Sequence, residues 1–416
     1  MGNGRRGMGG RYLTAREAAG ELGVSLPTLY AYVSRGLVRS EAGGGRSRRY
    51  REEDVRRLRG RKERRRDPTR AAEDALHWGK PVLESALTLV SEGRLYYRGA
   101  DAVGLADGCS LEQVASLLWQ GNIEGASDLF DSESNAPPRL ASGAMIGVSG
   151  LEPLGRFQAL LPMASAVDPA AYDLRPRAVA RTGARILRLL ASWATGGDGV
   201  DAEDGVAGTL QRGWVPGEPG ARKILGAAMI LCADHELPVS TFAARCVASS
   251  GATPYAAVAA GMHAMGGVRH GGVIELVETL LGEVEGAGSV RDVLAARLRR
   301  GEAIPGFGHS LYPGGDPRGA ELLRLCADLY PDAAALAEGV CGAALEVLGE
   351  RPTVDLGLAI LARTLALPPG GAVAVFSIGR TVGWIGHAIE QYESGALIRP
   401  RARYIGEQPS GMEQEG

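Results

Sequence analysis

The sequence predicts a predominantly α-helical protein, and three observations carry that expectation. Apolar residues make up 45% of the 416 positions but aromatics only 5%, so alanine, leucine and glycine must fill the interior. Small side chains of this kind favour close helix–helix contact over a β-sandwich. Apolar residues also recur at helical spacing, as at Leu111, Val114, Ala115, Leu117 and Leu118, with Ser110 placed to cap them. Finally, the length exceeds one ordinary domain and predicts two or three, with ample core.

The formal net charge of −2 conceals an asymmetry. Residues 1–70 hold 19 Lys+Arg against 8 Asp+Glu, and the remainder holds 27 against 40. A basic head on an acidic body points to a polyanionic partner for the head alone, or else to a solvated arm. The five cysteines, Cys109, Cys232, Cys246, Cys326 and Cys341, are odd in number and form no C-x-x-C pair. Reduced thiols in a cytoplasm are expected, not a disulfide frame or a zinc site. The glycine- and arginine-rich start has no apolar run of a secretory signal, and no uninterrupted membrane-length apolar segment follows. No membrane association is expected.

From Tyr12 to Arg59 the chain reads as a DNA-binding module. Thr14 and Glu17 form a capping box for a helix reaching Leu22, and Gly23 supplies the turn. Ser25 caps a second helix with Pro27 in its first turn and Gly36 at its end. That helix would present Ser25, Thr28, Tyr30 and Arg35 to a major groove. Beyond it, Gly43–Gly45 with Arg46, Arg48 and Arg49 suits a flexible basic wing for phosphates. A helical hairpin without DNA contact is the plainer alternative. Arg61–Arg70 is a charged linker.

In the body, Ser85 opens a strand-like stretch, and Ala178–Trp193 is a long helix with a mixed basic and apolar face. Ser127–Pro138 and the Gly- and Asp-rich Gly196–Gly220 read as loops. Ala221–Ser250 reads as one long helical region containing Asp234-His235-Glu236, and Tyr255–Met265 as another.

Residues suited to chemistry gather in the second half. Ile304–Arg318, I-P-G-F-G-H-S-L-Y-P-G-G-D-P-R, is a Gly/Pro loop carrying His309 and Arg318. Such a pair suits a small dianion, the imidazole donating to a carbonyl oxygen and the guanidinium fork gripping a carboxylate. His270, in V-R-H-G-G before a helix from Val273 to Leu281, is placed where a helix dipole disfavours protonation. A neutral imidazole there can donate to a developing oxyanion. Asp355, in P-T-V-D before the apolar Leu356–Leu365, is either an N-cap or a general base. Arg380 lies in a Gly-rich helix, F-S-I-G-R-T-V-G-W, tight enough to bury itself, and a buried Arg needs an anion. Arg399-Pro400-Arg401 is an extended basic segment.

Taken together, G-F-G-H-S-L-Y-P-G-G-D-P-R, D-H-E-L-P-V-S-T-F-A-A-R, V-R-H-G-G, P-T-V-D and G-R-T-V-G-W-I-G-H resemble citrate synthases in letters, order and spacing, over roughly Leu89–Tyr404. Similarly, Arg48-x-Tyr50-x-x-x-Asp54-x-x-x-Leu58 resembles the segment closing the winged helix-turn-helix of MerR-type regulators. The resemblance implies an all-α fold in three parts. Residues 1–66 would form the winged head with its linker, 71–272 plus 371–416 a large helical domain, and 273–370 a small one closing over it.

It further implies a homodimer that condenses acetyl-CoA with oxaloacetate and hydrolyses the thioester, as in the tricarboxylic acid cycle. No metal and no cofactor beyond the co-substrate are implied. Asp355 would take the methyl proton, His270 would donate to the enol(ate) oxygen and His309 would polarise the ketone. His235, Arg318 and Arg380 would hold carboxylates, with Arg399 reaching in from a second subunit. Four positions depart from the family pattern. Val273 and Ile274 follow H-G-G where Ala-Asn is usual, Thr353 replaces an amide, and Pro238 replaces an Asn. They leave open a propionyl-CoA reaction giving 2-methylcitrate. A DNA-binding regulator with a metabolite-sensing body is the competing reading, against which the retained Asp355 argues.

Overall fold

A computed structural model of the chain describes residues 12–34, 37–42, 48–51, 54–55, 83–131, 134–197, 204–402 and 404–406. Arg35, Arg46, His77 and the linker Arg61–Arg70 lie outside them. The contacts divide the chain into two units, one holding residues 1–84 and 400–416 and the other Ser85–Arg399.

In the first unit, β1 (Tyr12–Thr14), α1 (Ala15–Glu21), α2 (Leu26–Ser34), β2 (Ser40–Ala42) and β3 (Arg48–Arg51) follow one another. The capping box forms as expected: Glu17 N–H donates to Thr14 Oγ1, and Thr14 N–H to Glu17 Oε2. The strands make an antiparallel sheet in the order β1-β3-β2, so β2 and β3 are the wing. Ala18, Leu22, Leu29, Val38 and Tyr50 form a small core. Asp54 is buried and takes the Arg39 fork at 2.9 and 3.0 Å, so Tyr50 and Asp54 of the sequence signature build the unit and do not read a ligand. Ser25 and Thr28 bond each other, and Ser25 also accepts the Thr28 N–H as a cap. Tyr30, Arg48 and Arg49 are exposed.

The second unit opens with the hairpin sheet β4 (Thr88–Ser91), β5 (Arg94–Tyr97) and β6 (Ala100–Asp101), and is otherwise helical. Its first half contains α3 (Ala102–Gly108), α4 (Leu111–Gln120), α5 (Ala126–Leu129), α6 (Ser142–Gly147), α7 (Pro153–Val167), α8 (Pro176–Ala194) and α9 (Gly205–Trp214). Then follow α10 (Ala221–Leu231), α11 (Val239–Ala248), α12 (Pro254–Met265), α13 (Gly272–Ala287), α14 (Val290–Arg299), α15 (Pro317–Leu329), α16 (Pro331–Leu348), α17 (Val354–Thr364) and α18 (Gly371–Ser394). Two loop expectations are corrected. The stretch Gly196–Gly220 contains α9, whose Val206 and Leu210 are fully buried one turn apart, and Ser127–Pro138 begins inside α5. The continuous Ala221–Ser250 helix is also broken, at Cys232–Pro238.

Helix α18 organises the unit. It is 24 residues long and apolar enough by length and composition to cross a membrane, yet it lies buried along its central length as a core helix. Its glycines permit that position. A Cβ on Gly379 would sit 2.4 Å from the Met229 carbonyl oxygen, and one on Gly383 2.5 Å from that of Ala233. With no side chain at either point, α18 lies backbone to backbone against the end of α10, and Gly383 N–H donates to Ala233 O.

Candidate active site

The break between α10 and α11 carries Asp234-His235-Glu236, and one hydroxyl holds it. Tyr97 Oη lies 3.0 to 3.3 Å from the carbonyl oxygens of Ile230, Leu231 and Asp234 and receives the Asp234 N–H. Glu236 turns the chain with a left-handed φ of 59°. Asp234 and His235 therefore serve opposite sides. The Asp234 carboxylate meets buried His387 at 3.4 Å, while His235 Nε2 meets Tyr312 Oη at 2.8 Å. Arg245 donates to Nδ1 of His387, and because a guanidinium only donates, the His387 proton is on Nε2, facing Asp234.

Tyr312 belongs to the Gly/Pro loop, which folds around its own histidine. His309 lies edge-on to His235 with ring centroids 5.3 Å apart, and 5.0 Å from the Tyr312 ring. Its Nδ1 accepts the Leu311 N–H at 3.2 Å, so a neutral ring carries its proton on Nε2. Asp316 ends the loop by capping α15 through the Arg318 N–H and taking the Arg318 fork at 2.9 and 2.8 Å. Arg318 was expected to offer its fork to a substrate carboxylate. Asp316 already occupies it, and the Arg318 guanidinium also stands 5.6 Å from the Tyr312 ring centre.

The loop is joined to the start of α17. Phe307 bridges Pro352, Thr353 N–H donates to Gly306 O, and Asp316 also accepts the Val354 N–H. Gly308, at φ 76°, fits because a Cβ would lie 2.4 Å from the Glu350 carboxylate. Asp355 is the second residue of α17, not its cap; Thr353 occupies the cap position and gives its hydroxyl to Asp355 Oδ2 at 2.9 Å.

His270 stands ahead of α13, its Nε2 2.7 Å from Ser240 Oγ and its ring edge-on to Phe376 on α18. One turn on, Arg380 is almost fully buried, gives its Nε to the Cys232 carbonyl and lies 5.1 Å from the Phe376 ring centre. Its terminal amines have no protein partner among the described residues. Arg399, by contrast, follows the end of α18 and is exposed.

Burial, with Arg380 beside it, brings His270 down to about 4. His270 keeps the expected place just ahead of α13, and burial and a neighbouring cation both disfavour its protonation there. Burial and then Arg318 hold His235 well below the ordinary imidazole range, and the same two causes lower His309. Three neutral imidazoles result at neutral pH. Burial pushes Asp355 the other way, above the ordinary carboxylate range, while Thr353 and Arg318 oppose it. The Arg318 charge acts on His235, His309 and Asp355 alike, placing them in one electrostatic neighbourhood. Sequence reasoning passed over Tyr97, Ser240, Tyr312, Asp316 and His387. Tyr312 and Asp316 could have been found in the loop motif itself; the others become visible only through their distant partners.

Neutral donors, a carboxylate raised toward basicity and two buried guanidiniums on a helical scaffold define an enzyme built for acid–base chemistry on an anionic substrate. Residues 76–401 match the family model for the citrate synthase C-terminal domain, and residues 12–62 match a helix-turn-helix domain. The chain is 31% identical over 360 residues to a citrate synthase of Haloferax volcanii, covering 79% of this chain and 94% of that one. It is 29% identical over 371 residues to a 2-methylcitrate synthase of Shewanella oneidensis, covering 80% and 94%. A crystal structure of citrate synthase from Thermotoga maritima superposes with a TM-score of 0.65 at 25% identity, covering 80% and 96%. The chain belongs to the citrate synthase family.

Proposed function

We propose that this chain condenses acetyl-CoA with oxaloacetate and then hydrolyses the citryl thioester, releasing citrate and CoA. Three neutral imidazoles and a raised carboxylate, gathered around two guanidiniums, carry this reading. Asp355 removes a proton from the acetyl methyl group while His270 donates to the oxygen that becomes the enol(ate). A carboxylate is too weak a base for this alone, so the two must act together. His309 donates through Nε2 to the ketone of oxaloacetate and makes its carbon electrophilic. Water then cleaves the thioester.

Oxaloacetate carboxylates are met by Arg380, which has free terminal amines, by His235 and by Arg318. Asp316 takes Nε and Nη2 of Arg318, so Nη1 is the nitrogen that Arg318 offers to a carboxylate. Arg399 enters from the second copy in a homodimer. Residues 273–370, the proposed small domain, close on 71–272 plus 371–416 and exclude water until the carbon–carbon bond forms. No metal or further cofactor takes part. The five free thiols suit a cytoplasmic setting.

One observation keeps a second substrate in view: a 2-methylcitrate synthase is among the relatives. CoA release should be measured with oxaloacetate and acetyl-, propionyl- or butyryl-CoA, with the product identified by mass spectrometry. Citrate formed preferentially supports the proposal; methylcitrate preference transfers it to the related reaction; inactivity of folded protein with every thioester rejects it.

The basic head supports a DNA contact through residues 12–59, with Tyr30, Arg48 and Arg49 exposed for it and Arg35 and Arg46 completing the set. Selection from random duplexes, repeated with oxaloacetate or CoA present, tests both DNA binding and the sensor reading. No selected site removes the first, and an affinity indifferent to those ligands removes the second.

A further inference from the structure

Asp355 is the carboxylate on which the proposed reaction turns, and Thr353 beside it stands where the family pattern has an amide. Its Oδ2 takes the hydroxyl of Thr353 at 2.9 Å, two residues earlier and itself almost wholly buried. Thr353 is held from both sides. Its N–H donates to the Gly306 carbonyl at 2.9 Å, and the next N–H, of Val354, donates to Asp316 at 3.0 Å. Behind it, Gly319 packs so closely that an added Cβ would lie 2.4 Å from the Thr353 carbonyl oxygen. The backbone that carries the hydroxyl is therefore fixed by contacts that do not involve Asp355.

We infer that Thr353 is a positioning residue for the general base, occupying Oδ2 so that Oδ1 is the oxygen that receives the substrate proton. This rests on the reaction proposed above. The chemistry of a hydroxyl suits the task. An ionised carboxylate only accepts, so Thr353 donates to Oδ2 while Asp355 is charged. When Oδ1 takes a proton, Oδ2 remains an acceptor, and the same bond persists in weaker form without its charge assistance. The carboxyl thus keeps one orientation through the proton transfer. The charge-assisted bond also favours the ionised form, against the burial that opposes it. Other titratable groups acting on this carboxyl are Arg318 and Asp316 from the start of α15 and the Cys232 thiol at the end of α10. Arg318 and Asp316 form a closed pair, and burial pushes Cys232 up to about 12, leaving it neutral. None of these three changes charge as Asp355 takes its proton, so a shift that follows a change at Thr353 does not come from them.

The test compares the full-length wild type with Thr353→Val and Thr353→Ser. Two quantities are followed against pH: kcat/KM for CoA release, and the ¹³C shift of the Asp355 carboxyl, assigned by its disappearance in Asp355→Asn. Thr353→Val should move both the acidic limb and the carboxyl titration upward, and lower turnover below the limb by about tenfold. The KM for oxaloacetate should stay unchanged, and Thr353→Ser should restore both titrations. Equal losses in Val and Ser variants, with both titrations unmoved, would overturn the assignment and leave Thr353 a packing residue. The carboxyl titration needs no turnover. A wild type inactive toward every short acyl-CoA would count against the proposed reaction while the titration still decided the role of Thr353.

Discussion

Ser240 Oγ lies 2.7 Å from Nε2 of His270, and the same oxygen receives the indole N–H of Trp384 at 3.3 Å. An indole nitrogen only donates, so it takes one lone pair of Ser240, whose proton and second lone pair remain for the imidazole. Trp384 thereby anchors the serine oxygen, and the serine in turn holds the His270 ring through Nε2, leaving Nδ1 as the nitrogen free to face an oxyanion.

Replacing Ser240 by Ala removes that hold on the ring without touching the proposed oxaloacetate ligands. Loss of one buried hydrogen bond is worth about 1–3 kcal/mol, so kcat should fall by roughly tenfold or somewhat more. The KM for oxaloacetate should stay near its wild-type value. Steady-state kinetics check both.

Tyr97→Phe deletes the hydroxyl that gathers the carbonyls of Ile230, Leu231 and Asp234. Their lost partner, in a fully buried position, should cost about 1–3 kcal/mol of stability. Because the same turn carries His235, the KM for oxaloacetate should rise while catalysis at saturation changes less. Urea unfolding and substrate titration measure the two effects separately.

Stability should depend on pH in a direction set by the imidazoles. His235, His270 and His309 all have folded values below the ordinary 6.5, that of His270 at about 4. Between those limits the unfolded chain binds more protons than the folded one, so stability falls as pH falls from 6.5 toward 4 and is fully present above 6.5. The lowered carboxylates Asp234 and Asp316 add a loss at still lower pH, through their folded values below 3.8. Asp355, Glu236 and Glu278 are raised and work in the opposite sense, their penalty fading as they are protonated, which tempers the fall. Thermal unfolding followed across this range should show Tm dropping below pH 6.5. A Tm that is flat from pH 4 to 6.5 would contradict neutral imidazoles in the folded state.

The sequence made His309, Arg318 and Asp355 legible because each sits in a short motif whose Gly, Pro or cap residues announce a local turn. Arg380 was legible for a related reason: glycines on both sides mark a close helix approach, and Gly379 and Gly383 meet the backbone of Met229 and Ala233. What stayed hidden was reciprocal. Asp316 reaches Val354 from 38 residues away, and Tyr97 reaches Asp234 from 137, and neither spacing is periodic. The fork of Arg318 looked available because Asp316, a local cap ahead of Pro317, gives no sign in sequence of its second role as the partner of that fork. Helix α9 was missed since glycine density outweighed the single apolar pair Val206 and Leu210. The break at Cys232–Pro238 was missed because apolar spacing continues on both sides of it.

The central claim is that Asp355 takes the methyl proton while the guanidiniums and imidazoles hold oxaloacetate. The most direct measurement pairs CoA release with oxaloacetate binding by calorimetry, in wild type and in Asp355→Asn. The account predicts that wild type releases CoA, and that the variant binds oxaloacetate with near wild-type affinity while kcat falls by about three orders of magnitude or more. An Asp355→Asn protein that still releases CoA within tenfold of the wild-type rate would contradict it.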